Sequence, residues 1–308
     1  MNIATPLQAL WISLVITAIY PVAGKFAVPY ISPSLLLIFS AFIAALFYAP
    51  WVIKTGLWRK FKQKEIVLSL ALIGLLGTAL PFLCMFIALI YTTPANAAIM
   101  NQAEVVYSLV LAAVFLKERP TAKQLLGTAL VITGVVIVLL SGGFEARWKG
   151  DLIVLCSVWM FQASHVFVKK LPADLPPQFI TFGRAVFACL WSIPIAAALT
   201  VLPFGVKVLF IEPSWQLLLL LFYMGVINYG LSNAFWYKAM RNMDLSKATA
   251  VMLSYPALTY LFSVVMGTDK ISLPQTAGLV LAFAGAYLVT HIIKNHKKGK
   301  LQDEISFI

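Results

Sequence analysis

Of the 308 residues in this chain, 61% are hydrophobic and only 11% are charged, against roughly a quarter charged in soluble domains. No water-soluble core of this size hides that much apolar surface, so the chain reads as an integral membrane protein. The formal net charge of +12 would suggest nucleic acid in a soluble protein. Here the basic residues lie in short connections, where membrane topology accounts for them, and no nucleic-acid partner is expected.

A bilayer core of about 30 Å needs about 20 apolar residues per helix. Ten stretches meet that requirement: 7–28, 33–53, 66–91, 95–116, 121–140, 151–170, 177–201, 215–239, 245–267 and 272–293. The residues ahead of the first lack a basic leader and a cleavage signal, so this stretch is expected to be retained. Breaks such as Ile31-Ser32-Pro33, Ser141-Gly142-Gly143 and Leu175-Pro176-Pro177 separate the stretches. Cys84, Cys156 and Cys189 each fall inside an apolar stretch. They are expected to be packed small side chains, with no disulfide framework, metal site or cofactor. Trp11, Trp51, Trp58 and Trp215 lie near stretch ends and read as interfacial anchors.

Orientation follows from the basic residues. With the N-terminus inside, 17 of the 23 Lys and Arg fall on the cytoplasmic side and 5 on the other, with Arg184 inside a helix. Both termini are therefore expected in the cytoplasm.

The chain repeats itself. At an offset of 151, Thr121 meets Ser272, Gln124 meets Gln275, Gly127 meets Gly278, Gly134 meets Gly285, Glu118 meets Asp269 and Thr93 meets Asp244. Thr121–Gln124 and Ser272–Gln275 have capping-box spacing, and Thr93 and Asp244 read as N-caps. Glycines seven apart share a helix face that admits close approach. An offset of 144 aligns the earlier part, pairing Lys25 with Lys169 and Ser40 with Arg184. Two repeats are expected, 1–143 and 144–293, followed by a basic cytoplasmic tail at 294–308. Five helices per repeat is an odd number, so the second repeat must be inverted. The expected fold is an all-α membrane protein of ten transmembrane helices in two inverted five-helix repeats, an architecture used by secondary transporters.

The run Phe115-Leu116-Lys117-Glu118-Arg119, followed by Gln124-Leu125-Leu126-Gly127 and Gly134, and its second copy Thr268-Asp269-Lys270 with Gln275 and Gly278, resemble the EamA-type group of the drug/metabolite transporter superfamily. Residues 20–25 resemble the end of that family's first helix, and Trp159 with Lys169 and Lys170 resembles its sixth. The resemblance spans residues 7–293. It departs from the family pattern in three places: Val105 stands where the ninth helix has Pro256, Ser40 replaces the second-helix arginine while Arg184 keeps the seventh, and Asp269 replaces a glutamate. The resemblance implies transport of small organic solutes, often export of amino acids or related metabolites.

Glu104 is the most informative residue. It lies within a long uncharged run, where a carboxylate costs about 2.5–3.5 kcal/mol on insertion scales and signals function. Ala97, Asn101, Glu104 and Ser108 follow helical spacing, and their twins are Ala248, Met252, Tyr255 and Thr259. These stripes are expected to face one another across a central cavity, with Glu104 binding a substrate amine, carrying a proton, or both. The alternative is a structural pair with Arg184 or a backbone donor. Arg184 reads either as a clamp for a substrate carboxylate or as a side chain snorkelling to the interface. Gln162 and His165 share a face of the sixth helix, with His165 a proton relay or a packed residue. The eighth helix carries Asn228, Tyr229, Ser232, Asn233, Trp236 and Tyr237, read as a cavity lining or as interhelical hydrogen bonds. Trp159 is placed with the cavity.

The expected function is a secondary transporter of the bacterial inner membrane, moving a small zwitterion outward with protons as the candidate coupling ion. No nucleotide loop of the GxxxxGK[ST] type occurs. Rival readings are an uncoupled facilitator, a lipid flippase, or an intramembrane enzyme built on Glu104, His165 and Arg184. The lipid bilayer and the solute are the expected partners, with monomer and homodimer equally open.

Overall fold

The computed structural model describes residues 5–104, 106–107, 110, 122–141, 147–201, 209–242, 252, 254–285 and 287–288. Regular structure in these residues is helical, apart from an isolated antiparallel bridge between Ile31 and Ile211. Among the described residues, helices α1 (Pro6–Ala27), α2 (Pro33–Lys54), α3 (Lys64–Tyr91), α4 (Pro94–Asn101), α5 (Ala122–Ser141), α6 (Arg147–Lys170), α7 (Pro177–Val201), α8 (Trp215–Met240), α9 (Tyr255–Val265) and α10 (Leu273–Gly285) each overlap one of the apolar stretches in whole or in part. Five of the described helices, α1, α2, α3, α7 and α8, are long and apolar enough to cross a bilayer unaided. The 24 residues of α6 carry charges at both ends.

Local chemistry sets the helix starts. Proline opens α1, α2, α4 and α7, where its missing N–H is not needed and its φ is already helical. Thr5 and Gln8 form a capping box at α1, and the Thr93 hydroxyl accepts from the Asn96 amide at 3.3 Å, as expected of an N-cap. The box expected at Ser272–Gln275 forms only in part. Ser272 Oγ accepts from the Gln275 backbone amide at 3.3 Å and donates to Gln275 Oε1 at 2.7 Å, but the Ser272 backbone amide goes to the Tyr260 hydroxyl at 3.0 Å. The Thr121 cap, Asp244, the 115–119 motif, Ser108, Ala248 and the 294–308 tail lie outside the described residues.

The two halves pack as equivalents. Helix α2 packs on α7 and α4 on α9, each against its own repeat partner, while α1 packs on α8 and α9 as α6 packs on α3 and α4. Glycines report the same relation. A Cβ on Gly74 of α3 would strike Phe187 of α7 at 2.7 Å, and one on Gly225 of α8 would strike Ile43 of α2 at 2.6 Å. Gly225 is the twin of Gly74 and Phe187 the twin of Ile43. Between α5 and α10, a Cβ on Gly134 would lie 2.5 Å from the Gly278 carbonyl, and one on Gly285 would lie 2.4 Å from the Gly127 carbonyl. Those pairings run α5 antiparallel to α10. Equivalent helices of opposite direction in one bundle are what an inverted repeat produces.

Glycine-to-leucine changes at Gly134 or Gly278 should therefore push α5 and α10 apart. Overpacking of this kind costs about 1–3 kcal/mol, and thermal melting in detergent should show it as a lowered midpoint in both variants. An unchanged midpoint would mean that the glycine contact is not tight.

The core gathers where α1 to α4 meet α6 to α8, around Phe86, Leu36, Leu37, Ile99 and Met224. The periphery is oily: Leu273 is 83% exposed, Ile271 77% and Leu218 69%, a surface suited to hydrocarbon. Of the four expected anchors, Trp11, Trp58 and Trp215 are exposed, whereas Trp51 is half-buried against a hydrophobic cluster with Val52 and Phe179. Among the cysteines, Cys156 is exposed, contrary to the expected packing, while Cys84 and Cys189 are half-buried, and all three are free. Its place on the outer side of α6 is a packing outcome that helical spacing does not specify.

Candidate functional site

The stretch 95–116 was expected to be one unbroken helix, and it is not. Helix α4 ends at Asn101, Gln102 and Ala103 form a turn, and helical structure resumes at Glu104. The amides of Gln102 and Ala103 bond three residues back, to Ile99 at 3.0 Å and Met100 at 3.1 Å, the tightened register that often marks a functional interruption. The twin position behaves alike, with Ser254 a turn residue and Tyr255 starting α9. The two breaks meet: the Tyr255 hydroxyl hydrogen-bonds Asn101 and lies within electrostatic reach of Glu104. The facing of the two stripes is thus seen at Asn101, Glu104 and Tyr255. Thr259 leaves the stripe, donating instead to the Ala18 carbonyl of α1 at 2.8 Å.

Glu104 is half-buried and accepts from the Gln162 side-chain amide of α6. Among the described residues no Lys, Arg or His forms an ion pair with it; the pair present there, Lys60 with Asp174 at 3.5 Å, is remote and exposed. The structural Glu104–Arg184 pair is therefore absent.

Arg184 is 9% exposed, which corrects the snorkelling alternative: the side chain turns into the bundle. Its Nε donates to the Thr78 hydroxyl and one Nη2 hydrogen to the Gly77 carbonyl. Its Nη1 donates to Asn233 Oδ1 at 2.9 Å and to the Tyr237 hydroxyl at 3.1 Å, and the guanidinium carbon lies 5.9 Å from the centre of the Phe82 ring. The sequence explains the free carbonyl. In an α-helix Gly77 would be bonded by the amide of residue 81, but that residue is Pro81 and has no N–H. A π-helical segment, Leu75–Ala79, marks the place in α3. A second, Tyr223–Ser232, occupies the equivalent position in α8, where the Asn233 side chain bonds the Tyr229 carbonyl at 3.0 Å. Irregular turns of this type recur at functional sites. Arg184 thus sits between two twin irregularities, held by neutral groups and, among the described residues, without a carboxylate.

The remaining expected residues divide. Asn233 and Tyr237 join the Arg184 cluster, and Asn228 is buried in the π segment of α8. His165 is half-buried, its ring 6.2 Å from that of Trp236. Trp159 is 41% exposed and takes no part in the hydrogen bonds of either cluster. Ser232 is not a free lining group, since it hydrogen-bonds Ser13 of α1 at 3.0 Å. Thr78, Phe82 and Tyr20 were missed; the repeat offset pairs Thr78 with Tyr229 and Phe82 with Asn233, a signal visible only once Arg184 is placed. Among the described residues no group of three His, Cys, Asp or Glu is arranged to hold a metal.

A second buried polar cluster lies away from these groups. Asp151, 1% exposed, accepts from the Thr92 hydroxyl and from Asn96 Nδ2 at 3.2 Å. Gln275 Nε2 donates to Asn96 Oδ1 at 2.8 Å and to Asp269 Oδ1 at 3.1 Å. Lys25 Nζ caps the end of α3 through the carbonyls of Leu89 at 2.5 Å and Thr92 at 2.8 Å. The network joins α3, α4, α6 and α10. Asp151→Leu would strand the Thr92 and Asn96 donors, and each buried orphan costs about 1–3 kcal/mol; thermal melting should register the loss, and an unaltered midpoint would show that the network carries no stability.

A bundle of apolar helices with related halves, an oily periphery and buried polar clusters at its centre defines a multi-pass membrane protein. The EamA-like transporter family matches residues 7–140 and again 148–291, and the chain belongs to that family. It is 24% identical over 276 residues to the uncharacterized transporter YyaM of Bacillus subtilis strain 168, covering 88% of each chain. A probable amino-acid metabolite efflux pump of Salmonella typhimurium strain LT2 is 24% identical over 225 residues, 67% of this chain and 71% of the relative. The Escherichia coli K12 protein of the same description is 22% identical over 233 residues, 70% and 74% of the two chains. A solved crystal structure superposes over 93% of this chain and 96% of its own with a TM-score of 0.62 at 22% identity, a likeness of fold.

Proposed function

We propose that this transporter is a secondary exporter of the bacterial inner membrane that moves a small zwitterion, an amino acid or a close relative, with protons as coupling ion. Its ten helices span the membrane with both termini in the cytoplasm, a topology supported by the basic-residue bias and by the antiparallel packing of α5 on α10. One observation carries the reading. Glu104 and Arg184 are opposite charges inside the bundle, on α6-facing and α3-facing surfaces, and neither meets a protein counter-ion among the described residues.

Charges placed inside a membrane protein without partners are costly and mark substrate or proton pathways. A zwitterion supplies both missing partners: an ammonium for Glu104 and a carboxylate for the Arg184 guanidinium. With no solute bound, a proton on Glu104 neutralises the same charge, so amine and proton compete for one carboxylate. The similarity to two probable amino-acid metabolite efflux pumps supports the solute class and the direction. Proteoliposomes loaded with an equimolar mixture of the common amino acids provide the test, with efflux read by mass spectrometry under an imposed pH gradient. Unaltered amino acids should appear outside and respond to the gradient; release without such a response would remove the coupling, and no release would remove the solute class.

A further inference from the structure

Two buried hydroxyls near Arg184 bond no other part of the fold. Tyr20 of α1 and Tyr229 of α8 are 4% and 3% exposed, and among the described residues their phenolic oxygens have no hydrogen-bond partner apart from each other. Both lie within electrostatic range of Arg184 and of each other. Their rings flank Phe82 at 5.0 Å and 4.9 Å, the same ring that the guanidinium approaches. A guanidinium has five N–H donors; Thr78, Gly77, Asn233 and Tyr237 take four, leaving one on Nη2. The hydroxyl pair keeps one outgoing O–H, so two unspent donors and one positive charge gather without an anion among the described residues. Leaving such donors unpaired out of water is costly, and the cost is recovered when an acceptor arrives.

Resting on the reading of Arg184 as a solute-binding residue, we propose that Tyr20, Tyr229 and the spare N–H of Arg184 form a subsite selective for a singly charged carboxylate. The donor count sets the selectivity. A carboxylate brings one charge and two oxygens, which one guanidinium charge and the two unspent donors match. A phosphate monoester brings nearly two charges and three acceptor oxygens, more than a single cation balances, and an ester or amide brings no charge. The repeat limits the number of such subsites. The twin of Arg184 is Ser40, whose buried hydroxyl has no partner, so the mirrored position lacks a cation and the solute carries one carboxylate, not two.

The test uses the purified full-length protein in detergent, melted in sodium acetate, sodium phosphate, sodium chloride or methyl acetate at matched pH and ionic strength. Acetate should raise the melting temperature of the wild type above that in the other three. The double variant Tyr20→Phe/Tyr229→Phe, which keeps the ring packing around Phe82, should fold and lose the acetate shift, with each single variant intermediate. The subsite is refuted by an equal response to phosphate or chloride, by an acetate shift that survives in the double variant, or by no acetate response in the wild type, in which case water fills the gap. The two readings fail separately. Acetate stabilisation without amino-acid efflux keeps the subsite and removes the zwitterion, whereas efflux without acetate stabilisation does the reverse.

Discussion

Glu104→Gln is expected to abolish the response of transport to a pH gradient and to lower transport itself by about 10- to 100-fold, while the protein stays folded. The substitution keeps the side chain's shape and leaves an oxygen to accept from Gln162, so the contact between α6 and the segment following α4 survives. What disappears is the charge and the exchangeable proton. A hydrogen bond to a charged group contributes about 1.5–3 kcal/mol, and each 1.4 kcal/mol is tenfold in affinity, which sets the size of the loss for an amine that Glu104 binds. Efflux from proteoliposomes with and without a pH gradient measures both quantities. Unchanged efflux with an unchanged gradient response would leave Glu104 a structural residue, and the zwitterion reading would lose its cationic half.

The second large effect is at Arg184. Arg184→Met is expected to reduce transport to background while the melting temperature falls only a few degrees. The physical reason is an asymmetry in buried charges. Removing the guanidinium strands the Gly77 carbonyl, Thr78, Asn233 and Tyr237 as partners, a cost of about 1–3 kcal/mol for a buried orphan, but it also relieves the desolvation of an uncompensated buried cation, which offsets much of that cost. Arg184→Lys should rescue little of the transport, because an ammonium is a point donor that cannot reproduce the planar fork spanning α3 and α8. Should the Met variant unfold, or the Lys variant transport normally, Arg184 would be a brace between α3, α7 and α8 and not a solute contact.

Both predictions rest on groups that the sequence marks unevenly. Glu104 stands out because a carboxylate inside a long apolar run has no cheap explanation. Arg184 is as unusual, yet its depth in α7 left snorkelling open, since residue position along a helix says nothing of which way a long side chain turns. Tyr20, Thr78 and Phe82 carry no signal of their own; aromatic and hydroxyl residues in apolar helices are common packing groups. They become functional candidates only because α1, α3 and α8 bring them to one guanidinium. The helix break at Gln102–Ala103 was likewise invisible, as these residues are ordinary helix formers with no proline or glycine between Asn101 and Glu104. The interruption has no local breaker in the sequence and lies where α4 meets α9.

The sequence by itself determined the membrane character of the chain, the positions of its apolar stretches, its internal duplication and the oddity of Glu104. Each of these is written in composition or in spacing along one dimension. The glycine pairs belong here as well, since seven-residue spacing places them on one face before any partner is known. Only the tertiary structure decided who meets whom. Glu104 goes to Gln162 and toward Tyr255, Arg184 goes inward to twin π-helical segments, and the two charges do not pair. Helical periodicity names the face on which a residue lies, but the facing helix comes from elsewhere in the chain. That choice is made by packing across two related halves, where a glycine carbonyl and a proline without its N–H settle contacts that no local pattern encodes.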